Sequence, residues 1–372
     1  MTRVLVTGGA GFIGSHLVDA LLAEGSAVRV LDNFDSLAHP EGPAASHLSS
    51  EAELITGSVS DPDAVATALE GVSIVYHLGG VVGNGESMVN VRRATEANSL
   101  GTATLLEAVL ARREKIRRLV VASSMVVYGE GAYRCPEHDE IAPGPRPTAQ
   151  LERRDWEPRC PHCDRTLEPT PIPESWPLAP LSVYGITKRD QEELCLVLGR
   201  AYGLETVALR YLNVYGPRQA LGNPYTGVAA IFASRLLAGR RPLIFEDGGQ
   251  LRDFVHVDDI VAATRAAGTA PDAPGRAFNV STGRRVSIRQ IAELLAAAMG
   301  SELEPEVTGE FRHGDIRHCL ADATAARERL GFVAEHRLED RIDELVAWVE
   351  QQTVSERGDE ALAQLRGRGL VG

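Results

Sequence analysis

Three glycines near the N-terminus are the feature of this sequence that most restricts its fold. The segment Thr2–Val6 is typical of a buried strand, and the loop Thr7-Gly8-Gly9-Ala10-Gly11-Phe12-Ile13-Gly14 follows it directly. An apolar pattern with helical spacing then begins at Ile13. Glycines spaced in this way allow a tight turn, close approach of the backbone to a pyrophosphate, and close packing of the helix on the strand. The N-terminus of the helix would face the phosphates.

The second predicted strand, Ala27–Leu31, ends in Asp32, 18 residues beyond Gly14. A carboxylate at this position accepts hydrogen bonds from the hydroxyls of an adenine ribose and repels a 2′-phosphate, so it favours NAD over NADP. A glycine-rich loop alone would also fit a turn without a ligand. Because strand, loop, helix, strand and acid occur in register, the sequence predicts an NAD-binding βαβ unit.

Apolar strands and helical patterns continue to alternate after this unit. Helical patterns begin at Asp61 and cover Asn98–Ala111, and they separate predicted strands at Leu54–Thr56, Ile74–Leu78 and Leu119–Ala122. This rhythm is typical of an α/β fold with a doubly wound parallel Rossmann sheet. A chain of 372 residues is long enough for one such domain and a smaller companion.

The pattern loosens beyond about residue 215, where Gly-Pro and Gly-Gly pairs indicate shorter elements. A smaller, interleaved C-terminal lobe is predicted there, with returns of the chain to the sheet at Val255–Val257 and Phe278–Val280. We therefore predict a Rossmann domain from residues 1–130 and 176–214, an insertion at 131–175, and a substrate lobe mainly at 215–352. The polar tail, 353–372, is predicted to be a loose helix or disordered.

The composition argues against several classes of partner. The chain is 44% hydrophobic and 24% charged, which is ordinary for a soluble globular protein. Its formal net charge is −13 without a long basic run, so we expect neither nucleic acid nor a membrane as a partner. No apolar run approaches the roughly 20 residues that span a bilayer, and the N-terminus is a predicted strand instead of a signal peptide. The expected location is the cytoplasm.

A tyrosine and a lysine lie four residues apart in Tyr184-Gly185-Ile186-Thr187-Lys188. In a helix, this spacing places both side chains on one face. An ammonium about 5 Å from a phenol favours the phenolate by roughly 3 kcal/mol at an effective dielectric of about 20, equivalent to about two pKa units. Such a tyrosine can take a proton from a sugar hydroxyl during hydride transfer. A tyrosine and a lysine at this spacing are most often a pair on the surface of a helix. The predicted NAD-binding loop in the same chain favours the catalytic interpretation here.

The proline-rich stretch 131–175 contains two short cysteine motifs. Cys135-Pro136-Glu137-His138 is followed after 21 residues by Cys160-Pro161-His162-Cys163. Paired motifs of this kind present four ligands to a tetrahedral structural zinc. We predict a zinc-ribbon-like insertion in which Cys135, His138, Cys160 and Cys163 bind the metal, with His162 as the substitute for His138. The alternative is an unmetallated loop with free cysteines.

Together with four further motifs, these residues resemble the extended short-chain dehydrogenases that act on nucleotide sugars. The further motifs are Ser123-Ser124-Met125-Val126-Val127-Tyr128-Gly129, Arg210-Tyr211-Leu212-Asn213-Val214-Tyr215-Gly216-Pro217, Gln250-Leu251-Arg252-Asp253-Phe254-Val255-His256-Val257-Asp258-Asp259 and Arg312-His313-Gly314-Asp315-Ile316-Arg317. They occur in the family's order, and the resemblance covers nearly the whole chain apart from the insertion and the tail. It implies bound NAD and a nucleotide-sugar substrate.

The resemblance also implies roles for individual residues. Ser124 would hydrogen-bond the reacting sugar oxygen, Tyr184 would be the acid/base, and Lys188 would hold the nicotinamide ribose while lowering the tyrosine pKa. The cofactor would be bound by Gly8, Gly11, Phe12, Ile13, Gly14, Asp32, Asn33, Ser58, Val59, Leu78, Gly79, Gly80, Asn98, Tyr184, Lys188, Tyr211 and Val214. The substrate would be bound by Ser124, Met125, Asn213, Val228, Phe245, Arg252, Arg312 and Asp315, with the two arginines on its pyrophosphate.

Two positions depart from the family's pattern at the cofactor. Ser58 stands where the family usually has an aspartate that contacts adenine, so backbone groups and Val59 are expected to supply this contact. Gly79 and Gly80 replace two alanines in a His-Leu-Ala-Ala motif that lines the pyrophosphate. His77, at the start of this motif, is expected to be a structural histidine of the sheet.

Met125 and Val126 favour one reaction within the family. Sugar 4,6-dehydratases carry Asp-Glu at these positions and decarboxylases carry Glu at the second, whereas Met and Val supply neither an acid nor a base. The remaining chemistry is oxidation and re-reduction at C4, an epimerisation with catalytic NAD. The cysteine-bearing insertion and Gly222-Asn223-Pro224-Tyr225-Thr226-Gly227-Val228 resemble the subgroup of dTDP-L-rhamnose 4-epimerases.

Other activities stay open. A UDP-hexose or UDP-uronate 4-epimerase would use the same residues, although Ala220-Leu221-Gly222-Asn223 replaces the Arg-Pro-Asp-Met that uronate enzymes usually carry. An NAD(P)-dependent nucleotide-sugar 4-ketoreductase would also use them, but it usually prefers NADPH, which Asp32 disfavours. A non-catalytic dinucleotide sensor would tend to lose Ser124 or Tyr184, and both are present.

The helical patterns around Asn98–Ala111 and Tyr184 carry more apolar positions than one sheet face should need. The family resemblance implies a dimer formed by a four-helix bundle. We therefore expect a C2 homodimer.

Overall fold

The computed structural model describes residues 2–39, 47–221, 227–352 and 357–372. Its largest element is a seven-stranded sheet in which all neighbouring strands are parallel. In spatial order, the strands are Arg276–Val280, Glu205–Tyr211, Arg118–Ser124, Ile74–His77, Arg3–Thr7, Ala27–Asp32 and Glu53–Thr56. The predicted doubly wound parallel sheet is therefore confirmed. The strand order reverses between Arg3–Thr7 and Ile74–His77, the place where such sheets bind ligands.

Two layers of helices cover the sheet, which explains why its central strands are nearly continuous apolar runs. Phe12–Ala23, Val257–Thr269 and Thr324–Leu330 pack on one face. The opposite face is covered by Pro62–Ala68, Gly101–Leu110 and Val183–Tyr202. No helix in the described ranges is both long and apolar enough to cross a membrane.

Local signals explain where the functional helices begin and end. Asp61 accepts hydrogen bonds from Asp63 N and Ala64 N at the predicted start of helix Pro62–Ala68. Ser182 caps helix Val183–Tyr202 by accepting from Gly185 N, and Gly203 ends this helix with φ of 70°. The latter helix carries both Tyr184 and Lys188, as predicted from their spacing.

The smaller lobe has its own core, formed where three helices pack against small sheets. Its helices are Val228–Leu237, Ile288–Ala298 and Leu338–Glu350. Its paired strands are Asn213–Tyr215 with Phe254–His256, Leu243–Ile244 with Glu306–Val307, and Leu251–Arg252 with Val286–Ser287.

The prediction that the chain returns to the main sheet at Val255 is wrong. Phe254–His256 pairs instead with Asn213–Tyr215, because both edges of the preceding main-sheet strand, Glu205–Tyr211, are already hydrogen-bonded to other strands. By contrast, Phe278 lies in the edge strand Arg276–Val280 of the main sheet. The domain boundaries themselves stay a prediction.

The insertion contains regular elements that its composition did not specify, and the tail forms a helix, one of its two predicted alternatives. The insertion forms an antiparallel sheet of Asp139–Ile141, Tyr133–Cys135 and Glu168–Pro169, with a short helix at Thr148–Glu152. The described part of the tail contains the helix Arg357–Gly367. The remaining helical segments are Asn84–Val89, Val91–Ala94, a π-helical turn at Thr95–Leu100 and a 3₁₀ turn at Met125–Tyr128.

Candidate active site

The glycine loop forms a cradle at the carboxyl ends of the two central strands. Gly8 has φ of 67°, and a Cβ at this position would lie 2.9 Å from the backbone of Gly79. A Cβ at Gly14 would lie 2.1 Å from the carbonyl oxygen of Gly8. Side chains are therefore excluded at both positions, which leaves room for a pyrophosphate against the backbone.

Asp32 is held as a carboxylate at the end of its strand. Its Oδ2 accepts a hydrogen bond from Ala10 N at 3.0 Å, and its Oδ1 accepts one from Phe34 N at 2.9 Å. Burial acts to raise the pKa of this carboxyl, but the hydrogen bond from His39 and those from the two backbone amides outweigh burial and lower it. An ionised Asp32 suits the hydroxyls of an adenine ribose.

A long cavity runs over the carboxyl ends of the strands and brings most of the predicted cofactor residues together. Of the seventeen positions, the cavity is lined by Gly8, Gly11, Phe12, Ile13, Gly14, Asp32, Asn33, Ser58, Val59, Leu78, Gly79, Gly80, Tyr184, Lys188, Tyr211 and Val214. Ser124 also lines it. Residues from seven separate parts of the chain therefore share one cleft, which we call the cofactor cavity.

Asn98 is the exception, because it does not line the cavity. Its amide is buried behind the cavity wall, where Oδ1 accepts from Val81 N at 2.8 Å and Nδ2 donates to Thr187 Oγ1 at 2.9 Å. Because these bonds engage the amide, Asn98 supports the loop after Gly80 and does not line the cavity. It lies in the π-helical turn Thr95–Leu100, a distortion that often marks functional sites.

The three predicted catalytic side chains meet inside the cofactor cavity. Ser124 ends the strand Arg118–Ser124 and is hydrogen-bonded to the Tyr184 side chain. The main-chain N–H of Tyr184 donates to Ser87 Oγ at 2.9 Å, which anchors the first turn of its helix. Lys188 is one turn further along, and its Nζ donates to the carbonyl oxygen of Ala122 at 2.9 Å.

The protein groups alone do not lower the pKa of Tyr184, contrary to the expectation for a neighbouring lysine. Burial raises the pKa of this phenol to about 12, against the hydrogen bond with Ser124 that lowers it. Burial also lowers the pKa of Lys188 to about 8. The physical reason is that the ammonium is directed to the Ala122 carbonyl, while both groups lose hydration. A further positive charge beside Tyr184 is needed to favour its phenolate.

His77 is a satisfied histidine of the sheet, as expected. Its Nδ1 lies 2.8 Å from Thr7 Oγ1, and its Nε2 lies 2.9 Å from Thr102 Oγ1. Burial lowers its pKa to about 3, so the imidazole is neutral at ordinary pH. It is fully enclosed and takes no part in the cavity surface.

A second cavity adjoins the first and extends into the smaller lobe. Met125 and Asn213 line both cavities, so they lie at the boundary between the two. Of the predicted substrate residues, this second cavity is lined by Met125, Asn213, Val228, Phe245, Arg252, Arg312 and Asp315. Ser124 is the one predicted substrate residue that lines the cofactor cavity without also lining this second cavity. We call this second space the substrate cavity.

The two predicted pyrophosphate arginines are oriented by neighbouring groups. Arg252 donates through Nη1 to the carbonyl of Arg317 at 2.9 Å and through Nη2 to that of Ile316 at 2.8 Å. Arg312 stacks over the Phe245 ring, with its guanidinium carbon 4.7 Å from the ring centroid, and pairs with Asp315 at 2.7 Å. Asp315 is therefore an ionic partner of Arg312 as well as a wall residue.

Sequence reasoning missed several residues of the substrate cavity. Glu246, Gln250, Arg235 and Arg240 line it, as do residues of the C-terminal helix Arg357–Gly367. The only signal for the helix was the amphipathic spacing of its alanine and leucine residues within a polar tail. The segment 222–226, which contributed to the subgroup resemblance, lies outside the described residues.

The four predicted metal ligands converge in the insertion. Their sulfur and nitrogen atoms all lie within 4.8 Å of one another. His138 Nδ1 lies 3.6 Å from Cys135 Sγ and 3.5 Å from Cys160 Sγ, and Cys135 Sγ lies 3.6 Å from Cys163 Sγ. With zinc bonds of about 2.3 Å to sulfur and 2.0 Å to nitrogen, a tetrahedron has edges of about 3.8 Å and 3.5 Å. The arrangement of side chains fits such an ion.

A buried ionic network fastens the insertion to the substrate lobe. Arg146 pairs with Glu130 at 3.0 Å and with Glu246 at 2.9 Å, and Arg317 pairs with Glu246 at 2.8 Å. These four side chains are at most 3% exposed. Arg146 also donates to the carbonyl oxygen of Asp315 at 3.0 Å. The insertion therefore contacts the segment that forms one wall of the substrate cavity.

Comparisons with known proteins agree with this architecture. A dTDP-L-rhamnose 4-epimerase of Burkholderia thailandensis is 35% identical over 353 residues, which cover 94% of this chain and 95% of that protein. The crystal structure of UDP-glucose 4-epimerase with UDP-glucose from Thermotoga maritima is 31% identical with a TM-score of 0.76, covering 93% of this chain and 98% of that one. UDP-glucuronic acid 4-epimerase from Bacillus cereus, in complex with UDP-glucuronic acid and NAD, is 26% identical with a TM-score of 0.76, covering 94% and 99%.

The family model for NAD dependent epimerases and dehydratases matches residues 4–150 and 165–281. The gap between the two matched ranges, 151–164, lies within the insertion and contains Cys160 and Cys163. The match spans the glycine loop, the Ser124 strand, the Tyr184 helix and Arg252. This extent of similarity establishes that the chain belongs to the NAD dependent epimerase/dehydratase family.

Proposed function

We propose that the protein is a nucleotide-sugar 4-epimerase that uses tightly bound NAD. The observation that carries the proposal is the meeting of Ser124, Tyr184 and Lys188 where the cofactor cavity joins the substrate cavity. Met125 and Val126 follow Ser124 at this boundary. Neither side chain supplies the acid or base that elimination of water from the sugar would require.

The residues of this chain account for the proton transfers of a C4 epimerisation. The chemistry that bound NAD supplies is acceptance and return of one hydride at C4. Tyr184 takes the proton from the 4-hydroxyl as the C4–H bond breaks and the 4-keto sugar forms, and Ser124 donates a hydrogen bond to the developing oxyanion. With NAD bound, Tyr184 would lie beside a positive charge that favours its phenolate.

Inversion requires the 4-keto sugar to present its other face before hydride returns. Arg252 and Arg312 would hold the diphosphate through charge-assisted hydrogen bonds, so the nucleotide stays bound while the sugar turns. Tyr184 then returns its proton to the 4-oxygen, and no net oxidation or reduction results. This cycle explains why a cofactor that is not exchanged between turnovers suits the site.

We infer that dTDP-L-rhamnose is the substrate, on the strength of the Burkholderia thailandensis relative and of the cysteine-bearing insertion. A UDP-hexose is the second candidate, supported by the UDP-glucose 4-epimerase of Thermotoga maritima. The deciding experiment is product analysis after incubation with dTDP-L-rhamnose, UDP-glucose, UDP-galactose and UDP-glucuronic acid without added cofactor. Epimerised product is expected from dTDP-L-rhamnose. Net oxidation of one of these sugars at C4 that occurs only with added NADP⁺ would indicate a 4-ketoreductase working in reverse instead.

We also propose that Cys135, His138, Cys160 and Cys163 bind a structural zinc. Their interatomic distances match a tetrahedral site, and four protein ligands complete the coordination of the ion. A disulfide is not formed, since all five cysteines of the chain are free. The zinc would cross-link an insertion whose own hydrophobic cluster contains few residues.

We propose a homodimer formed through the Tyr184 helix and the helical run Val91–Leu110. Four large apolar side chains on these segments are between 50% and 55% exposed: Val91, Leu100, Ile186 and Val197. Exposed apolar groups on adjacent helices support burial against a second copy. A cytoplasmic location stays a prediction.

A further inference from the structure

The C-terminal helix Arg357–Gly367 closes the end of the substrate cavity that lies away from the cofactor. Asp359, Leu362 and Leu365 line this cavity, and no residue of the helix lines the cofactor cavity. Met125 and Asn213, by contrast, line both. The substrate cavity therefore has a catalytic end and an outer end, and the tail of the chain forms part of the outer end.

Ionic contacts hold this helix on the smaller lobe. Asp359 accepts hydrogen bonds from Arg235 at 2.5 Å and from Arg240 at 2.6 Å. Arg366 pairs with Glu310 at 2.6 Å. The charge of Asp359 is therefore partnered by two guanidinium groups, and the helix contributes mainly apolar surface to the cavity.

Backbone pairing joins the last residues to the segment that carries Arg312. Phe311 N donates to Gly372 O at 2.9 Å, and Gly372 N donates to Phe311 O at 3.0 Å. His313 N also donates to Leu370 O at 3.0 Å. The chain end is thus an antiparallel partner of residues 311–313, so the helix and the predicted pyrophosphate arginine belong to one connected wall.

We propose that the C-terminal helix is the surface on which the nucleoside end of the substrate packs, with Leu362 as its main contact. The inference rests on the proposed function. A substrate with its C4 at Ser124 and its diphosphate at Arg252 and Arg312 extends its nucleoside toward the outer end of the cavity. Leu362 is partly exposed there, whereas Leu365 is buried beneath it. A pyrimidine ring gains affinity by covering such an apolar surface.

The test compares Leu362→Ser with Ala363→Ser in the full-length, NAD-loaded enzyme. Ala363 is exposed on the same helix and does not line the cavity, so it is the matched control. Calorimetric titration with dTDP and with UDP should show Leu362→Ser binding the preferred nucleotide about tenfold more weakly, and the control should bind within about twofold of wild type. NAD content should be equal in all three proteins. Equal affinities for the two variants would overturn the proposal.

Hydrogen exchange provides a second readout that does not depend on a variant. Saturating dTDP should slow exchange of the amides between residues 360 and 366, and NAD alone should not. If neither dTDP nor UDP changes the exchange of these amides, the proposal is contradicted. The epimerase function and the contact of the C-terminal helix with the nucleoside can also be disproved independently of each other. Nucleotide binding that depends on Leu362, without any epimerised sugar, would remove the epimerase assignment alone. Epimerisation that is insensitive to Leu362→Ser would remove the helix from the site alone.

Discussion

At the scale of single residues, Tyr184 illustrates how burial and charge oppose each other in this site. Burial raises the pKa of the phenol to about 12, and Lys188 is directed to the carbonyl of Ala122. A phenolate at neutral pH therefore depends on positive charge brought by the cofactor. Tyrosine and cofactor would then act as one unit, with the basicity of the side chain linked to the oxidation state of the nicotinamide.

We expect Tyr184→Phe to abolish turnover while the protein keeps its NAD, because the change removes only the titratable oxygen. The measurement is the rate of product formation from the substrate found in the panel, together with the NAD released on denaturation. Lys188→Ala serves as a comparison, since loss of the group expected at the nicotinamide ribose should lower NAD content as well as turnover. Turnover by Tyr184→Phe at the wild-type rate would exclude Tyr184 as the acid/base.

The buried His77 leads to a prediction about how the free energy of unfolding depends on pH. Its pKa is lowered to about 3 in the folded protein from 6.5, so the unfolded chain binds the extra proton between these values. Its contribution to stability is therefore complete above about pH 6.5 and is lost as the pH falls toward 3. Between pH 7.5 and 5.5 this one group should lower the free energy of unfolding by about 1.4 kcal/mol.

Urea unfolding of wild type and His77→Gln at the two pH values measures this contribution. The variant should be less stable at both values, because Thr7 and Thr102 lose their shared partner. The loss of stability on acidification should be smaller in the variant by about 1.4 kcal/mol. An identical pH dependence in the two proteins would show that the histidine titrates normally in the fold.

At the scale of elements, the insertion is a small module whose two ends are stabilised by different interactions. One end carries the four converging metal ligands, and the other is joined to the substrate lobe by Arg146. Elemental analysis should find about one zinc per chain, and Cys160→Ser should lower it sharply. Zinc contributes on the order of 10 kcal/mol to small metal-folded modules, so its loss should unfold the insertion. The Rossmann sheet should keep its NAD.

Cys195→Ala is the control for this measurement, since Cys195 is a buried thiol of the Tyr184 helix far from the ligands in sequence. It should retain wild-type zinc. Metal-free wild-type protein with an ordered insertion and full activity would contradict the zinc site.

Arg146 provides a separate prediction for the other end of the insertion. Arg146→Met leaves Glu130 and Glu246 buried with one cationic partner fewer, a change that typically costs about 3–5 kcal/mol. Because Arg146 also bonds the carbonyl of Asp315, KM for the nucleotide sugar should rise more than kcat falls. Arg134→Met, at an exposed position of the same insertion, should change neither stability nor KM. Equal stability of the two variants in urea would show that the network contributes little.

At the scale of the whole molecule, the apolar side chains left exposed on the Tyr184 helix and on Val91–Leu110 predict assembly. Light scattering should give a mass near twice the chain mass of 40.0 kDa at micromolar concentration. Leu100→Glu combined with Val197→Glu should shift the protein toward the monomer, because charges replace two half-exposed apolar groups. Val333→Glu, at an exposed apolar position on another part of the surface, should leave the mass unchanged. A monomeric wild-type protein would contradict the proposed interface.

The sequence by itself determined the features that depend on neighbours in the chain. The glycine loop, Asp32 and the Tyr184–Lys188 pair follow from spacings of a few residues, because turns and helices repeat over that distance. The strand and helix rhythm was enough to predict the doubly wound sheet, and the ordered motifs were enough to predict the family. The spacing within two short motifs was also enough to predict that four metal-ligating side chains converge.

Only the tertiary structure decided which distant segments meet. Phe254–His256 pairs with Asn213–Tyr215 outside the main sheet, and Asn98 lies behind the cavity because its amide is bound to Val81 and Thr187. The C-terminal helix reaches the substrate cavity through ion pairs with Arg235 and Arg240, which precede it by more than a hundred residues. Local periodicity specifies which face of an element is apolar, but it does not specify the partner of that face. Partners are chosen by packing and charge complementarity over the whole chain.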